Sequence, residues 1–266
     1  MAESRKVTKL LGAAGAALIA LSGAALADGY EGSIKDAPAD ESRKFTYSFS
    51  ITGTSDYVFR GVSQTDNDPT IQGAINIGYG IFYAGVWGSG LDWDTDPKAE
   101  IELDYYAGIK PTWGKATFDF GVIYYNFPGS TDSVLFGSVD NVELKAAVSG
   151  EVFKSLTATG TVYYAPGYND FEFKVYEGTL AYALPTVHVF TPTISGTYGY
   201  QDADGPRTVI DYSYWNAGVT LAVEKLAFDF RYWGNDLSDA DCGVGFFIAS
   251  STCDERFVFS ATVTLP

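Results

Sequence analysis

Apolar and polar residues alternate along most of the chain from residue 44 onward. In residues 45–52, the apolar positions Phe45, Tyr47, Phe49 and Ile51 are separated by threonine and serine. Successive side chains of a β-strand point to opposite faces, so this pattern predicts a strand with one apolar and one polar face. Similar segments recur over residues 45–58, 71–79, 82–90, 100–110, 117–124, 142–149, 157–164, 176–182, 193–200, 215–221, 226–232 and 256–265.

The connectors between these segments alternate in length. Short connectors lie near residues 80, 113–115, 150–154, 185–187 and 224–225. Mostly longer ones, rich in Asp, Gly and Ser, lie at 60–68, 91–98, 127–140, 166–170, 201–211 and 234–254. Short turns at one end and long loops at the other are typical of outer-membrane barrels, whereas a soluble sandwich has no such rule. We therefore predict an all-β fold, a transmembrane antiparallel β-barrel of twelve strands over residues 44–266.

Charged side chains recur on the polar faces of these strands. A charge in a dry core is costly unless it is paired, and an aqueous lumen removes that cost. We therefore expect the polar faces to line the lumen and the apolar faces to meet lipid. The predicted lumen-lining residues are Glu100, Glu102, Asp104, Lys110, Asp119, Glu143, Lys145, Glu177, Asp229, Arg231 and Arg256.

The first 27 residues have the features of a cleaved signal peptide. Basic residues at 5, 6 and 9 precede an apolar run at 10–21, and Ala25-Leu26-Ala27 forms a small-x-small cleavage site. The run is too short to serve comfortably as a membrane anchor. Residues 28–43 are polar and aperiodic, which predicts a flexible periplasmic lead-in.

The overall composition supports a membrane barrel. The formal net charge of −16 disfavours nucleic acid as a partner, since phosphates would be repelled. With 18 Phe, 19 Tyr and 5 Trp the chain is very aromatic. A soluble domain would have to bury these rings, whereas a barrel displays them to lipid and at the membrane interfaces. The expected location is the bacterial outer membrane.

Three blocks of sequence resemble a known family. Residues 55–64 (SDYVFRGVSQ) look like the opening signature of the TorF-type putative porins of proteobacteria. Residues 85–92 (GVWGSGLD) and 100–108 (EIELDYYAG) resemble the next two blocks, and the later strands match in layout more than in sequence. The resemblance implies an outer-membrane barrel that forms a pore, and it brings no established substrate.

Two cysteines, Cys242 and Cys253, lie in the last long connector. In an exported protein the default expectation is a disulfide between them. The apolar residues 246–248 between them would either fold inward and constrict the mouth or extend a hairpin above the membrane. Acidic residues at 92, 94, 96, 202 and 204 lack the glycine and glutamate of a calcium loop, so we predict no metal site.

No residue set predicts an enzyme or a bound cofactor. His188, the only histidine, falls at a strand connection on the predicted periplasmic side with no evident nucleophile. A lipid-acting enzyme would require a nucleophile within hydrogen-bond reach of His188.

The predicted function is passive diffusion of small hydrophilic solutes, with a bias toward cations set by the acidic row Glu100, Glu102 and Asp104. The bases at 110, 145, 231 and 256 would lie across from this row, or all these charges would pair across a closed lumen. The alternative is a closed structural or adhesive barrel acting through its acidic loops. Arg60, at the mouth, would either pair with a loop aspartate, which we prefer, or project inward toward a solute or an internal carboxylate. Expected partners are outer-membrane lipid, lipopolysaccharide, solutes and the barrel assembly machinery, and the sequence leaves the oligomeric state open.

Overall fold

Twelve long strands make up the barrel. The computed structural model describes residues 44–93, 98–130, 139–168, 171–204, 210–245 and 250–266, so the predicted signal peptide (1–27) and lead-in (28–43) lie outside the described residues. The strands are β1 (Phe45–Thr54), β2 (Thr70–Tyr79), β3 (Phe82–Trp93), β4 (Ala99–Ile109), β5 (Ala116–Asn126), β6 (Asn141–Phe153), β7 (Leu156–Tyr168), β8 (Phe171–Ala183), β9 (Thr191–Asp204), β10 (Tyr212–Val223), β11 (Leu226–Asn235) and β12 (Arg256–Leu265).

Each long strand pairs antiparallel with its neighbours in sequence, and the last strand pairs with the first. In this closing pair Phe49 lies opposite Leu265 and Thr54 lies opposite Ser260. A sheet that closes on itself has no unpaired edge, which is a requirement for strands surrounded by lipid. The prediction of a closed, twelve-stranded antiparallel barrel is confirmed.

The apolar faces of the strands point outward. Tyr47, Ile71 and Phe82 are 63%, 72% and 60% exposed, whereas Ser50 and Thr52 on the opposite face are buried. Large apolar side chains on eleven of the twelve strands are exposed on this outer face, which is far larger than the exposed apolar patches of soluble proteins. Its natural environment is therefore lipid. Among the described residues, no helix is both long and apolar enough to cross a membrane.

The two ends of the barrel differ in their connectors. Tight turns at Gly80, Ser155 and Glu224, each with a positive φ, lie at one end, which we call the turn end. Longer connectors such as 55–69 and 236–255 lie at the other, the loop end. The first strand ends at Thr54 rather than at Val58 as predicted, because the chain there turns back into the barrel.

Two connectors contain structure of their own. In the first loop, Val58–Phe59 pairs with Val62–Ser63 in a short hairpin. The last loop contains helix α1 (Asp239–Gly245) and a 3-10 turn (Ser250–Cys253). This loop is therefore not a simple extension of the β11–β12 hairpin. The apolar residues 246–248 lie outside the described residues.

Candidate functional site

A short hairpin folds into the barrel from the loop end. We call residues Val58–Ser63 the inner hairpin; Val58, Val62 and Ser63 are 5%, 1% and 3% exposed. Its turn consists of Arg60 and Gly61, whose φ angles are 48° and 83°. Consecutive left-handed residues reverse the chain within two positions, which directs the Arg60 side chain into the barrel.

Asp56 anchors the base of the inner hairpin. Its Oδ1 accepts hydrogen bonds from Ser63 Oγ at 2.6 Å and from Thr65 Oγ1 at 2.9 Å. Its Oδ2 accepts one from Arg256 Nη1 at 3.0 Å. A buried carboxylate with three donors is well satisfied, so this contact fixes the hairpin to strand β12. Arg256 therefore lies at the loop-end rim, paired with Asp56.

The last loop covers the inner hairpin from outside. Cys242 and Cys253 form a disulfide with an S–S distance of 1.94 Å, and both pack against Val62 together with Leu237. Asn235 Nδ2 donates to the carbonyl oxygens of Gly61 and Cys253, each at 2.8 Å. One β11 side chain thus joins the hairpin to the disulfide-containing loop.

Arg60 is buried inside the barrel and pairs with Glu143 of β6. Its two terminal nitrogens donate to the two Glu143 oxygens at 2.8 Å each, and its guanidinium lies 4.6 Å and 5.2 Å from the ring centroids of Phe59 and Tyr163. Burial lowers the pKa of Arg60, but the charge of Glu143 outweighs this effect and raises it overall, so Arg60 stays charged. The preferred prediction of a rim residue paired with a loop aspartate is wrong, because the left-handed turn points Arg60 inward.

Aromatic side chains fill much of the loop-end half of the lumen. Tyr57, Trp87, Tyr125, Tyr163 and Tyr214 are all at most 4% exposed and belong to one packed cluster. They come from the segment before the hairpin and from four different strands. The sequence predicted a water-filled lumen, whereas the structure shows packed rings around the inner hairpin at this level.

Two carboxylates of β4 lie within this aromatic region. Glu102 and Asp104 are 4% and 0% exposed, whereas Glu100, predicted to lie in the same row, is exposed at the loop end of the strand. Burial together with the charges of Glu102 and Asp104 raises the pKa of Tyr57 well above its ordinary value, so its hydroxyl stays protonated. Among the ion pairs of the described residues, none contains Glu102 or Asp104.

The basic residues predicted to face the acidic row pair elsewhere. Lys145 and Lys110 lie 3.0 Å and 3.8 Å from Asp119 Oδ2, and Asp119 also accepts a hydrogen bond from Tyr83 at 2.7 Å. These groups lie toward the turn end, because β5 begins there at Ala116. The bases therefore do not form the transverse field opposite Glu102 and Asp104 that the sequence suggested.

A second polar network lies in the middle of the barrel. Arg231 contacts Asp229 at 3.0 Å and donates to Asn216 Oδ1 at 2.6 Å and to Ser195 Oγ at 3.0 Å. Glu177, nearer the loop end, accepts a hydrogen bond from Tyr214 at 2.6 Å. Polar groups therefore follow the interior from one end toward the other.

The remaining sequence candidates lie away from this region. His188 is exposed in the β8–β9 turn with φ 57°, and no nucleophile among the described residues is hydrogen-bonded to it. Within those residues no cluster of His, Cys, Asp or Glu could hold a metal ion. Residues 94 and 96 of the predicted acidic loop lie outside the described residues.

Sequence reasoning missed two residues that organise the site. Asp56 sits in a loop where carboxylates are common, and only its burial reveals the anchor. The second residue is Trp87, to which the sequence analysis gave no role. Its sequence position could have revealed its direction. Residues two apart in a strand point to the same face, so Trp87 points into the barrel together with Ser89.

Comparisons with known proteins agree with this fold. A family model described as "Bacterial protein of unknown function (Gcw_chp)" matches residues 38–264. No curated protein sequence matches the chain. The resemblance to the TorF-type porins therefore stays a prediction.

Several solved structures are similar to the chain at low sequence identity. The NanC porin structure has 9% identity, a TM-score of 0.53, and coverage of 82% of this chain and 99% of that chain. A porin refined at 1.8 Å has 14% identity, a TM-score of 0.39 and coverage of 74% and 62%, so this chain spans under two thirds of its length. LpxR from Salmonella typhimurium has 10% identity, a TM-score of 0.43, and coverage of 82% and 99%. With its apolar outer face, the barrel is a protein of the bacterial outer membrane, as predicted.

Proposed function

We propose that this chain, which belongs to the Gcw_chp family of bacterial proteins of unknown function, is a porin-like channel for passive diffusion of small hydrophilic solutes, with a preference for cations. One observation carries the proposal: charged and hydroxyl side chains line the interior of a closed barrel whose outer face is apolar. A purely structural barrel would be stabilised at least as well by apolar side chains, since burying ion pairs brings little net stability. Such polar groups suit an interior that admits water and solutes.

The inner hairpin would set the constriction of this channel. Arg60 reaches the opposite wall at Glu143, and the hydrogen bonds of Asp56 and Asn235 hold the hairpin inside the barrel. A solute entering from the loop end would have to pass beside the hairpin. Its mobility would therefore govern how often the channel conducts.

The cation preference would come from Glu102 and Asp104. Both carboxylates face the interior, and the interior bases Arg60, Lys145 and Arg231 pair with other acids. Rings and rows of acidic side chains favour cations in membrane pores. This transport requires no catalytic residue. Lipid, lipopolysaccharide and the barrel assembly machinery remain the proposed partners.

A closed structural or adhesive barrel is the second candidate. It is favoured by the packed aromatic cluster at the loop end and by the bidentate contact between Arg60 and Glu143. In this case the acidic loops would act outside the membrane, and the interior charges would serve only to hold the barrel together.

Conductance of the refolded protein in a planar bilayer separates the two candidates. We expect stable current steps from the wild type, and longer or larger openings from Arg60→Ala, because the hairpin loses its contact with Glu143. Lys225→Ala, which removes an exposed charge at the turn end, is the control and should leave the current unchanged. Folded wild-type and Arg60→Ala barrels that both fail to conduct would contradict the channel and favour the structural barrel.

Ion selectivity tests the role of the two buried carboxylates. In a KCl gradient, the double variant Glu102→Gln, Asp104→Asn should show a reversal potential shifted toward that of a non-selective pore. Glu100→Gln is the matched control, since it removes the same charge at the exposed end of the same strand. At about 1 M salt the Debye length is about 3 Å, so an exposed charge contributes little. An unchanged potential in the double variant would contradict the proposed cation preference.

A further inference from the structure

Trp87 and Asp104 face each other across two neighbouring strands inside the barrel. They are opposite partners in the β3–β4 register, and their side chains are 2% and 0% exposed. Side chains of directly opposed residues on one sheet face are close neighbours. Glu102 follows on the same inward face of β4.

The polar atoms of this pair are unsatisfied. Within the described part of the chain, Trp87 Nε1 and both carboxylate oxygens of Asp104 are buried without a hydrogen-bond partner. An unpaired buried carboxylate is costly, and an unsatisfied buried N–H adds a further cost. One donor and two acceptors left open on directly opposed residues are groups that a bound molecule could satisfy.

The surrounding charges favour a cation beside Asp104. The negative charges of Glu102 and Glu143 act on Asp104. Arg60, the base associated with Glu143, already gives both terminal nitrogens to that carboxylate. A monovalent cation would therefore offset one of the two negative charges of the β4 carboxylates.

Aromatic rings pack around Trp87. The ring of Tyr57 meets the ring of Trp87 edge-on, with 5.2 Å between the centroids, and Tyr57 is 3% exposed. Aromatic rings attract organic cations, while the apolar surroundings disfavour a fully hydrated inorganic ion. The described residues also contain no cluster suited to a metal ion. An organic ammonium group suits both the nearby negative charges and the aromatic, apolar surroundings.

We propose that Trp87, Glu102 and Asp104 bind a small primary ammonium compound that carries a neighbouring hydroxyl group. The ammonium donates hydrogen bonds to Asp104 and Glu102, and the hydroxyl oxygen accepts one from Trp87 Nε1. This inference rests on the proposed channel function and names the class of solute that the channel recognises.

Calorimetric titration of the folded protein in a non-ionic detergent tests the site with three probes. Ethanolamine has both groups, ethylamine lacks the hydroxyl, and ethylene glycol lacks the charge. We expect ethanolamine to bind most tightly, ethylamine more weakly, and ethylene glycol without measurable affinity. Equal heats for all three probes would overturn the proposal.

Variants assign each contact to its residue. Asp104→Asn should weaken ethanolamine binding about tenfold or more, since it removes a charge-assisted hydrogen bond. Trp87→Phe should weaken ethanolamine severalfold and leave ethylamine unchanged, because it removes only the donor to the hydroxyl. Glu100→Gln should leave both affinities unchanged. Equal binding of ethanolamine by the wild type and Asp104→Asn would overturn the site.

A proton shared by the two carboxylates is the competing way to offset one of their two negative charges. It would give a carbonyl band of a protonated carboxylic acid in the infrared spectrum that disappears in Asp104→Asn, together with no ethanolamine binding, and this result would overturn the site. Conductance without ethanolamine binding would contradict the proposed binding site and support the proposed channel. Ethanolamine binding by a barrel that never conducts would support the binding site and contradict the channel.

Discussion

Gly61 occupies a backbone position that other residues adopt only with strain. Its φ is 83°, and a Cβ added there would lie 3.0 Å from Tyr214 Cβ and 3.1 Å from Asn235 Cβ. Both neighbours belong to barrel strands, so little can move to make room. The preceding residue, Arg60, already carries a left-handed φ of 48°. The inward course of the hairpin therefore depends on a glycine at this position.

Gly61→Ala should destabilise the protein by about 1–3 kcal/mol, from backbone strain and close contacts. The measurement is urea unfolding of the refolded protein, followed by tryptophan fluorescence. Gly160→Ala is the matched control, because no heavy atom lies within 4 Å of its added Cβ on the exposed face of β7. Equal unfolding midpoints for the two variants would contradict the close fit of the turn.

The site residues show what the sequence could and could not reveal. Alternation placed Glu102, Asp104 and Glu143 on the inward face, since side-chain direction in a strand depends only on parity. It did not reveal that Arg60 reaches Glu143, 83 residues away, because that contact depends on two left-handed residues in a loop. It also misplaced Glu100, where a register irregularity near Trp93 interrupts the alternation.

At the level of elements, the inner hairpin has its own supports. Asp56 fixes its base, Asn235 fixes its turn, and the disulfide packs on Val62. The strand periods predicted the twelve strands well, because each strand has one lipid-facing side. The inner hairpin has no lipid-facing side and so lacks this alternation. The sequence pattern therefore places its residues partly at the end of the first strand, 45–58, and partly in the connector 60–68.

Removing the disulfide should loosen the cover of the hairpin and leave the barrel intact. The double variant Cys242→Ala, Cys253→Ala should lose about 2–3 kcal/mol of local stability from the opened loop. Limited proteolysis should then cut the last loop faster, while the circular dichroism of the strands stays unchanged. Reduced wild-type protein should behave in the same way, and equal cutting rates for all samples would contradict this role.

For the whole molecule, the position of the lipid boundary can be tested with a single charge. Ile75 lies midway along β2 and is 56% exposed on the outer face. Ile75→Arg should cost about 2–4 kcal/mol of folding stability in a bilayer, as arginine does near the midplane. Trp113→Arg, at a side chain 83% exposed near the turn end, should cost about 1 kcal/mol or less. Folding titrations in urea with lipid vesicles measure both, and equal costs would contradict the assigned boundary.

The pairing of the first and last strands also determines how the molecule can assemble. Thr52 and Thr262 lie 2.8 Å apart through their hydroxyl oxygens although 210 residues separate them in sequence. Contacts of such high contact order form late, because the intervening chain must be synthesised and ordered first. Until β12 arrives, β1 exposes an open strand edge, and open edges invite aggregation. The pairing of β12 with β1 therefore both closes the barrel and removes the aggregation-prone strand edge during biogenesis.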